Sequence, residues 1–431
     1  MTASSYEETL AYISKMGRFG MKFGTERTRA LLDALGADRG LRGALIAGTN
    51  GKGSTGACLA AILQAAGHHV GFMPKPHLIS YTERIEVDGA PISEADFVAE
   101  FEKLRPTLDS VAERLGPATE FEMLTVLAVA YLAPRADLLV CEVGLGGRLD
   151  ATNALDLGLA VITNIDLDHQ KYLGDTIEQI AEEKAAIIKP RNKVVTGCEG
   201  VALSIVEQHA AQADAQIWRL GHEVLVTSRA RGWDGHLIDV TGPGFEHRGL
   251  MLPLVGDYQP ANAALAVAGA HALGEIDDAA VRHGLASTIW PGRLQVISMQ
   301  PRVIVDGGHN RAALMRAGQS LRRLIDGERL VVVFGMLSER DPAQLLPMVR
   351  TMSPAAVVFT EPASAAGHVI EAASLARTYG KGAEARPHAG EALARARELA
   401  GADGNVLVCG SLYLAGEALA LSRPRMERGV G

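Results

Sequence analysis

Cysteine is scarce: Cys58, Cys141, Cys198 and Cys409 are the only four in 431 residues. They stand far apart, without a CxxC pair or a Cys/His grouping at zinc spacing, which argues against a disulfide framework and a structural zinc site. They read as small core hydrophobes in a reducing cytosol. Positive charge is not in excess either, since Lys plus Arg total 42 against 50 Asp plus Glu, a net charge of −8. A general nucleic-acid or membrane-surface binder would carry a basic stripe, so neither partner is expected. Positive charge for an anionic ligand must then be local to a pocket. Long apolar runs are missing, and stretches such as Leu330 to Phe334 are too short to span a bilayer. The opening MTASSYEETLAYIS places glutamates where a signal peptide needs a basic start and an apolar run. A soluble cytoplasmic protein is the expectation.

What is present is length and alternation. A chain of 431 residues is expected to hold two domains, possible as three, with ample material for a core. Ala44–Ala47, Leu138–Glu142 and Leu159–Thr163 are compact apolar runs that suit strands covered on both faces. Ser54–Ala66 has helical periodicity and stops at Gly67. Beyond Trp290-Pro291-Gly292 a second series begins, with strands expected at Val303–Val305, Leu330–Phe334, Ala355–Phe359 and Val406–Cys409. Strands alternating with helices imply parallel sheets built from βαβ units. The domain boundary is placed near residues 292–300, and the stretch Val224 to Leu252 reads as an antiparallel excursion of the first domain.

Ala47-Gly48-Thr49-Asn50-Gly51-Lys52-Gly53-Ser54 follows an expected strand and opens an expected helix. In that setting glycines let backbone N–H groups approach phosphates, the helix N-terminus favours negative charge, and Lys52 reaches the outer phosphates. The strict GxxxxGK[ST] pattern fails, because Ile46 stands at its first glycine position and Gly53 follows the lysine. A tight βα turn with a solvated lysine is the competing reading of this segment alone.

The loop is the variant that Mur ligases carry, and the downstream text resembles folylpolyglutamate synthase, often bifunctional with dihydrofolate synthase. The matching stretches are Pro76-His77-Leu78, Tyr81-Thr82-Glu83-Arg84, and Glu142-Val143-Gly144-Leu145-Gly146-Gly147-Arg148-Leu149-Asp150-Ala151-Thr152-Asn153. They continue through Leu167-Asp168-His169, Glu183-Lys184-Ala185, Pro260-Ala261-Asn262-Ala263-Ala264, Pro291-Gly292-Arg293 and Asp306 to Asn310, in the family's order. The resemblance implies an α/β protein with an N-terminal Mur-ligase-type P-loop ATPase domain and a smaller C-terminal Rossmann-like domain. Here these would be residues 1–295 and 296–431, the second being the glutamate-ligase domain. The implied reaction is ATP-dependent addition of L-glutamate to dihydropteroate, to reduced folates, or to both, through an acyl phosphate. The implied cofactors are ATP and one or two Mg²⁺, the partners are small molecules, and a monomer is expected. A sister ligase acting on another carboxylate, or a nucleotide-binding protein that lost catalysis, are the competing readings.

The resemblance also distributes roles. Gly48, Thr49, Asn50, Gly51, Lys52, Gly53 and Ser54 would hold the nucleotide phosphates, with Asn262 at the adenine and Arg293 and Asp306 on the phosphate–ribose side. Ser54, Glu142 and His169 would hold magnesium. Lys52, Lys184 and His309 are the catalytic candidates, His309 as a nucleotide contact. Phe121, Glu122, Arg148, Leu149 and Asp150 would meet the pteroate, with Phe23-Gly24 to Arg27 in the same pocket. Each has a plainer alternative: Asn262 as a helix-start cap, Arg293 as a solvated linker residue, Phe121 as ordinary core.

Physical chemistry adds weight at two of these positions. Glu142 ends a buried apolar strand, where a lone carboxylate is costly unless it meets a cation. Asp175-Thr176-Ile177-Glu178 has capping-box spacing with Asp175 as the N-cap, and the helix that follows puts Ile177, Ile180, Lys184 and Ile187 on one apolar stripe. A bare ammonium does not belong there, and in the related enzymes the corresponding lysine is carbamylated and helps to bind a second magnesium. A lysine snorkelling from the stripe's edge is the alternative. Two positions depart from the family pattern. Lys75 replaces the usual serine before Pro76-His77-Leu78, and either contacts phosphate directly or points away. Arg311 replaces a proline after Gly308-His309-Asn310, and lacks proline's fixed φ at the start of the next helix.

Overall fold

The computed structural model describes residues 5–17, 24–37 and 40–422. Phe23, expected with the pterin pocket, lies outside the described residues. Backbone contacts divide the chain into two compact units. One holds the chain up to Arg229 together with Leu237–Pro253 and Gln259–Thr288. The other holds Ala230–His236, Leu254–Tyr258 and the chain from Ile289 onward. The expected cut after residue 295 thus differs from the one observed. The two inserted segments are too short to carry a periodicity from which their allegiance could be read.

In the first unit the strands are β1 (Gly43–Ala47), β2 (Val70–Met73), β3 (Glu86–Val87), β4 (Ala90–Pro91), β5 (Leu138–Glu142), β6 (Gly158–Ile162), β7 (Lys193–Thr196) and β8 (Gln216–Arg219). They form one sheet in the order β4-β3-β2-β5-β1-β6-β7-β8. All neighbours from β2 to β8 run parallel, and β3 and β4 make an antiparallel edge. Every residue of β1 and β5 is buried, as continuous apolar runs covered on both faces require. Register aligns Ile46 with Glu142 and Ala47 with Ile162, so the C-terminal ends of β5, β1 and β6 lie side by side. That edge of a parallel sheet is where α/β folds bind ligands.

Helix Lys52–Ala65 packs against helix Gln259–Leu273 and against Asp278–Ala286. Small residues permit the approach: Ala263, Ala264, Ala266, Ala268 and Ala270 are fully buried. Three further strands, β9 (Leu225–Ala230), β10 (His236–Gly242) and β11 (Phe245–Leu252), form a separate sheet in chain order. The two-residue link Pro243-Gly244 leaves β10 and β11 no arrangement but antiparallel, as the sequence suggests for this stretch.

The second unit has strands β12 (Gln295–Met299), β13 (Arg302–Val305), β14 (Leu330–Phe334), β15 (Ala356–Phe359), β16 (Ala383–Ala385) and β17 (Asn405–Cys409). Their order is β12-β13-β17-β14-β15-β16, parallel except for the β12 edge. Its core is aliphatic around Ile304, Val332 and Leu407, with Phe334 edge-on to Phe359 at 6.1 Å between centroids. Such a ring pair adds about 1 kcal/mol beyond its buried area. The four cysteines are free and buried, and pack as small hydrophobes. Among the described residues no helix is long and apolar enough to cross a membrane.

Candidate active site

The turn between β1 and helix Lys52–Ala65 is built to keep backbone N–H groups open. Gly48 and Gly51 take φ of +148° and +86°. A side chain at Gly51 would collide with Asn262 Oδ1, and one at Gly48 with Thr163 Oγ1, so both positions demand glycine. The end of β6 pins the loop. Asn50 O accepts from Thr163 Oγ1 at 2.7 Å and from Asn164 Nδ2 at 2.8 Å, while Asn50 N donates to Asn164 Oδ1 at 3.1 Å. Thr49 Oγ1 donates to Asp166 O at 3.2 Å and accepts from Asp166 N at 3.0 Å. Thr163, Asn164 and Asp166 were not among the expected site residues. Their only signal is a run of short polar side chains at the end of an expected strand.

The helix starts at Lys52, two residues earlier than its periodicity suggests, so Lys52 occupies the first turn. Its Nζ donates to Gly48 O at 3.0 Å and Thr49 O at 3.3 Å, and lies 4.0 Å from Glu142 Oε1. Lys184 Nζ donates to the same Gly48 carbonyl at 3.0 Å. The expected stripe exists: Ile180 and Ile187 are fully buried and Lys184 is 5% exposed. Burial and then the neighbouring Lys52 charge pull the Lys184 amine down to about 7, with Asp168 and Asp150 opposing. The helix itself is capped one residue later than expected. Thr176 is the N-cap and accepts from Gln179 N, whereas Asp175 uses its backbone N–H on Gln179 Oε1. Thr and Asp are both good caps, and adjacency left the choice to the chain's path.

Of the expected metal ligands, Ser54 and Glu142 are buried beside the loop. Glu142 Oε2 accepts Lys75 N at 3.0 Å. His169 takes φ of +52°, with its Nε2 3.9 Å from Asp168 Oδ2 and its N–H on Asp168 Oδ1 at 2.8 Å. Among the described residues no three His, Cys, Asp or Glu side chains converge as a metal cage. A hard cation that takes one or two protein oxygens and completes its shell with phosphate and water still fits Glu142 and Ser54. An imidazole is a poorer donor for such an ion.

Through Lys75, Glu142 also adjoins the residues expected on the pterin side. Lys75 Nζ lies 3.4 Å from the centre of the Phe121 ring, so of its two expected placements it points away from the loop. Glu122 forms a capping box with Thr119 and pairs with Arg27 at 2.8 Å. Asp150 Oδ2 accepts from Gly144 N at 3.0 Å and Leu145 N at 2.9 Å, and its Oδ1 accepts from Thr152. Both carboxylates hold local backbone in place. Arg148 is exposed and donates to Glu183 Oε1 at 3.1 Å, and Leu149 is an exposed apolar side chain.

Asn262 sits in the first turn of helix Gln259–Leu273, donates to Gln259 Oε1 at 2.9 Å and abuts Gly51. In the second unit, Asp306 at the end of β13 is buried and accepts from Leu294 N at 3.0 Å and Gly308 N at 2.8 Å. Burial raises its carboxyl, opposed by Arg293 and these N–H groups. Arg293 Nη1 donates to Gly292 O at 2.9 Å, and His309 Nδ1 lies 2.9 Å from Gly307 O. Arg311 begins helix Arg311–Ile325 with Asn310 as the cap, so the missing proline leaves the helix start intact.

A glycine loop at the C-terminal edge of a parallel sheet, with two lysines and a strand-end glutamate beside it, is an arrangement suited to a phosphate ligand, of the kind Mur ligases carry. Residues 46–270 match the Mur ligase middle domain, and residues 292–412 match the Mur ligase, glutamate ligase domain. The dihydrofolate synthase/folylpolyglutamate synthase of Bacillus subtilis is 33% identical, over 81% of this chain and 84% of its own length. A probable bifunctional folylpolyglutamate synthase/dihydropteroate synthase of Haloferax volcanii is 34% identical over 96% of this chain, which spans half of that longer protein. The Mycobacterium tuberculosis folylpolyglutamate synthase, solved with ADP and AMPPCP, superposes with a TM-score of 0.90 at 32% identity, covering 96% of this chain and 99% of the other. A bifunctional enzyme from Yersinia pestis, solved with AMPPNP and a Mn ion, has a TM-score of 0.86 at 31% identity, covering 97% and 98%. The chain belongs to the folylpolyglutamate synthase/dihydrofolate synthase family.

Proposed function

We propose that this chain is an ATP-dependent ligase that joins L-glutamate to the carboxylate of dihydropteroate, of reduced folates, or of both. The observation that carries the reading is the meeting of Lys52 and Lys184 at Gly48 O, beside the strand-end carboxylate of Glu142. The relatives' names and their bound nucleotides support it.

The chemistry brings two anions together. A carboxylate oxygen of the acceptor attacks the γ-phosphorus of ATP, the bond to ADP breaks, and an acyl phosphate forms. The glutamate nitrogen then attacks the acyl carbon, phosphate leaves, and the nitrogen loses a proton. Lys52, in the first helical turn, is placed to follow charge on the transferring phosphoryl, and the open loop N–H groups orient it. Magnesium, bound through Glu142 and Ser54, would neutralise phosphate charge. On this reading Asn262, Arg293, Asp306 and His309 serve the nucleotide, and Phe121, Arg148 and Leu149 face the pterin.

Lys184 has what carbamylation needs. An amine brought down to about 7 has a sizeable unprotonated fraction near neutral pH, alongside its ammonium form. Its lone pair adds to CO₂, an N–C bond forms, a proton leaves, and an anionic carbamate results. The protein acts as a cytoplasmic monomer on small molecules, without nucleic acid or membrane.

Phosphate release from purified protein, ATP, Mg²⁺ and glutamate tests the reading, with dihydropteroate and tetrahydrofolate supplied separately. Release that requires both glutamate and one of the acceptors supports it. Release indifferent to glutamate overturns it.

A further inference from the structure

Lys75 stands two residues beyond β2, and its backbone N–H donates to Glu142 Oε2 at 3.0 Å. The residue as a whole is half-buried, but its ammonium is sealed from solvent. Among the described residues Nζ has no hydrogen-bond acceptor, and the Phe121 ring, 3.4 Å from it, is its close partner. The nearby carboxylates are engaged elsewhere. Asp150 gives both oxygens to Gly144, Leu145 and Thr152. Glu142 turns one oxygen to the Lys75 backbone and the other towards Lys52. The Phe121 ring is confined in turn, since a Cβ at Gly144 would come within 2.7 Å of its Cζ.

A buried ammonium carries three donors, and leaving all three unmet is costly. A ring face repays part of that cost, but a charge-assisted hydrogen bond to an anionic oxygen repays more. Position says which anion. Glu142 holds the Lys75 backbone N–H with one oxygen and faces Lys52 with the other, so Lys75 is anchored next to the phosphate loop while its ammonium turns to Phe121. A ligase that brings a carboxylate to a phosphoryl group needs a cation for each, and Lys52 already serves the phosphate side.

We infer that Lys75 is a substrate-binding residue whose ammonium takes the acceptor's carboxylate, the Phe121 ring holding its place until the acceptor arrives. The inference rests on the ligase reading above and names a contact within it.

The test is calorimetric binding of dihydropteroate and of its carboxamide, each with AMPPCP present, to the wild-type chain and to Lys75→Met. The wild type should prefer the carboxylate by roughly ten- to a hundredfold, the range of a hydrogen bond to a charged group. Lys75→Met should bind both alike, keep its affinity for AMPPCP, and melt no lower than wild type. Lys75→Arg should recover part of the preference. Lys75→Gln, which is uncharged but polar, should lose the preference as Lys75→Met does, which keeps the test open if Lys75→Met fails to fold. A Lys75→Met chain that still prefers the carboxylate, or that loses AMPPCP instead, overturns the inference. A lower melting point with the preference intact does so too, and makes Lys75 purely structural. These outcomes leave the ligase reading standing, because glutamate-dependent phosphate release by the wild type tests that separately.

Discussion

Lys52 and Lys184 donate to one atom, the carbonyl oxygen of Gly48, each at 3.0 Å. Two ammonium groups on one acceptor repel, and the Lys52 charge is one cause of the lowered Lys184 titration. An incoming polyanion relieves that repulsion, which ties nucleotide binding to the state of Lys184.

Lys52→Ala should cost at least about a hundredfold in turnover, as removal of an electrostatic stabiliser does. The melting curve should stay unchanged. The same variant should raise the Lys184 titration, because a neighbouring positive charge is gone. NMR of isotopically labelled lysine side chains reads that shift. Wild-type turnover in this variant would contradict the role given to the loop.

Lys184→Ala should lose activity, and a small carboxylic acid in solution should restore part of it by refilling the anionic position. Lys184→Arg should be inactive, since a guanidinium cannot form the carbamate. Intact mass under bicarbonate checks the modification directly. An active Lys184→Arg enzyme would end the carbamate while leaving the ligase reading intact.

Glu142→Gln should shift the Mg²⁺ dependence of activity to higher concentration, because an amide oxygen carries no net charge for a hard cation. Pterin binding should change less. A titration of Mg²⁺ against rate, with an unmoved midpoint, would count against the metal role.

Two histidines of the first unit predict how stability follows pH. Burial and then Arg84 pull His77 down to about 3, and burial and then His247 pull His271 down to about 4. Both are depressed below the unfolded value near 6.5, so the unfolded chain takes up protons first. Their contribution is complete above about pH 6.5 and is lost as pH falls, through about 4 for His271 and about 3 for His77. Urea unfolding across that range should show the decline, and His271→Gln should flatten part of it. Stability that held or rose as pH fell through this window would contradict the assignment.

The architecture was legible because burial on both faces writes itself as uninterrupted apolar runs. Leu138–Glu142 and Leu330–Phe334 are strands at the residues expected. The phosphate loop was legible because positive φ at Gly48 and Gly51 leaves a glycine signature. The path of a side chain leaves no such mark. The Thr119-to-Glu122 spacing of a capping box stood in the sequence to be read, whereas nothing local says that Lys75 turns to Phe121. The Thr163, Asn164 and Asp166 anchors were missed for the same reason: their partners lie more than a hundred residues away, in the loop after β1.

The central claim is that the acceptor's own carboxylate takes the γ-phosphoryl of ATP. Dihydropteroate labelled with ¹⁸O in that carboxylate tests it most directly, with ATP, Mg²⁺ and glutamate supplied and the released phosphate read by mass spectrometry. One ¹⁸O per phosphate is the predicted result, since the bridging oxygen of the acyl phosphate departs with phosphorus. Phosphate released without label would contradict it.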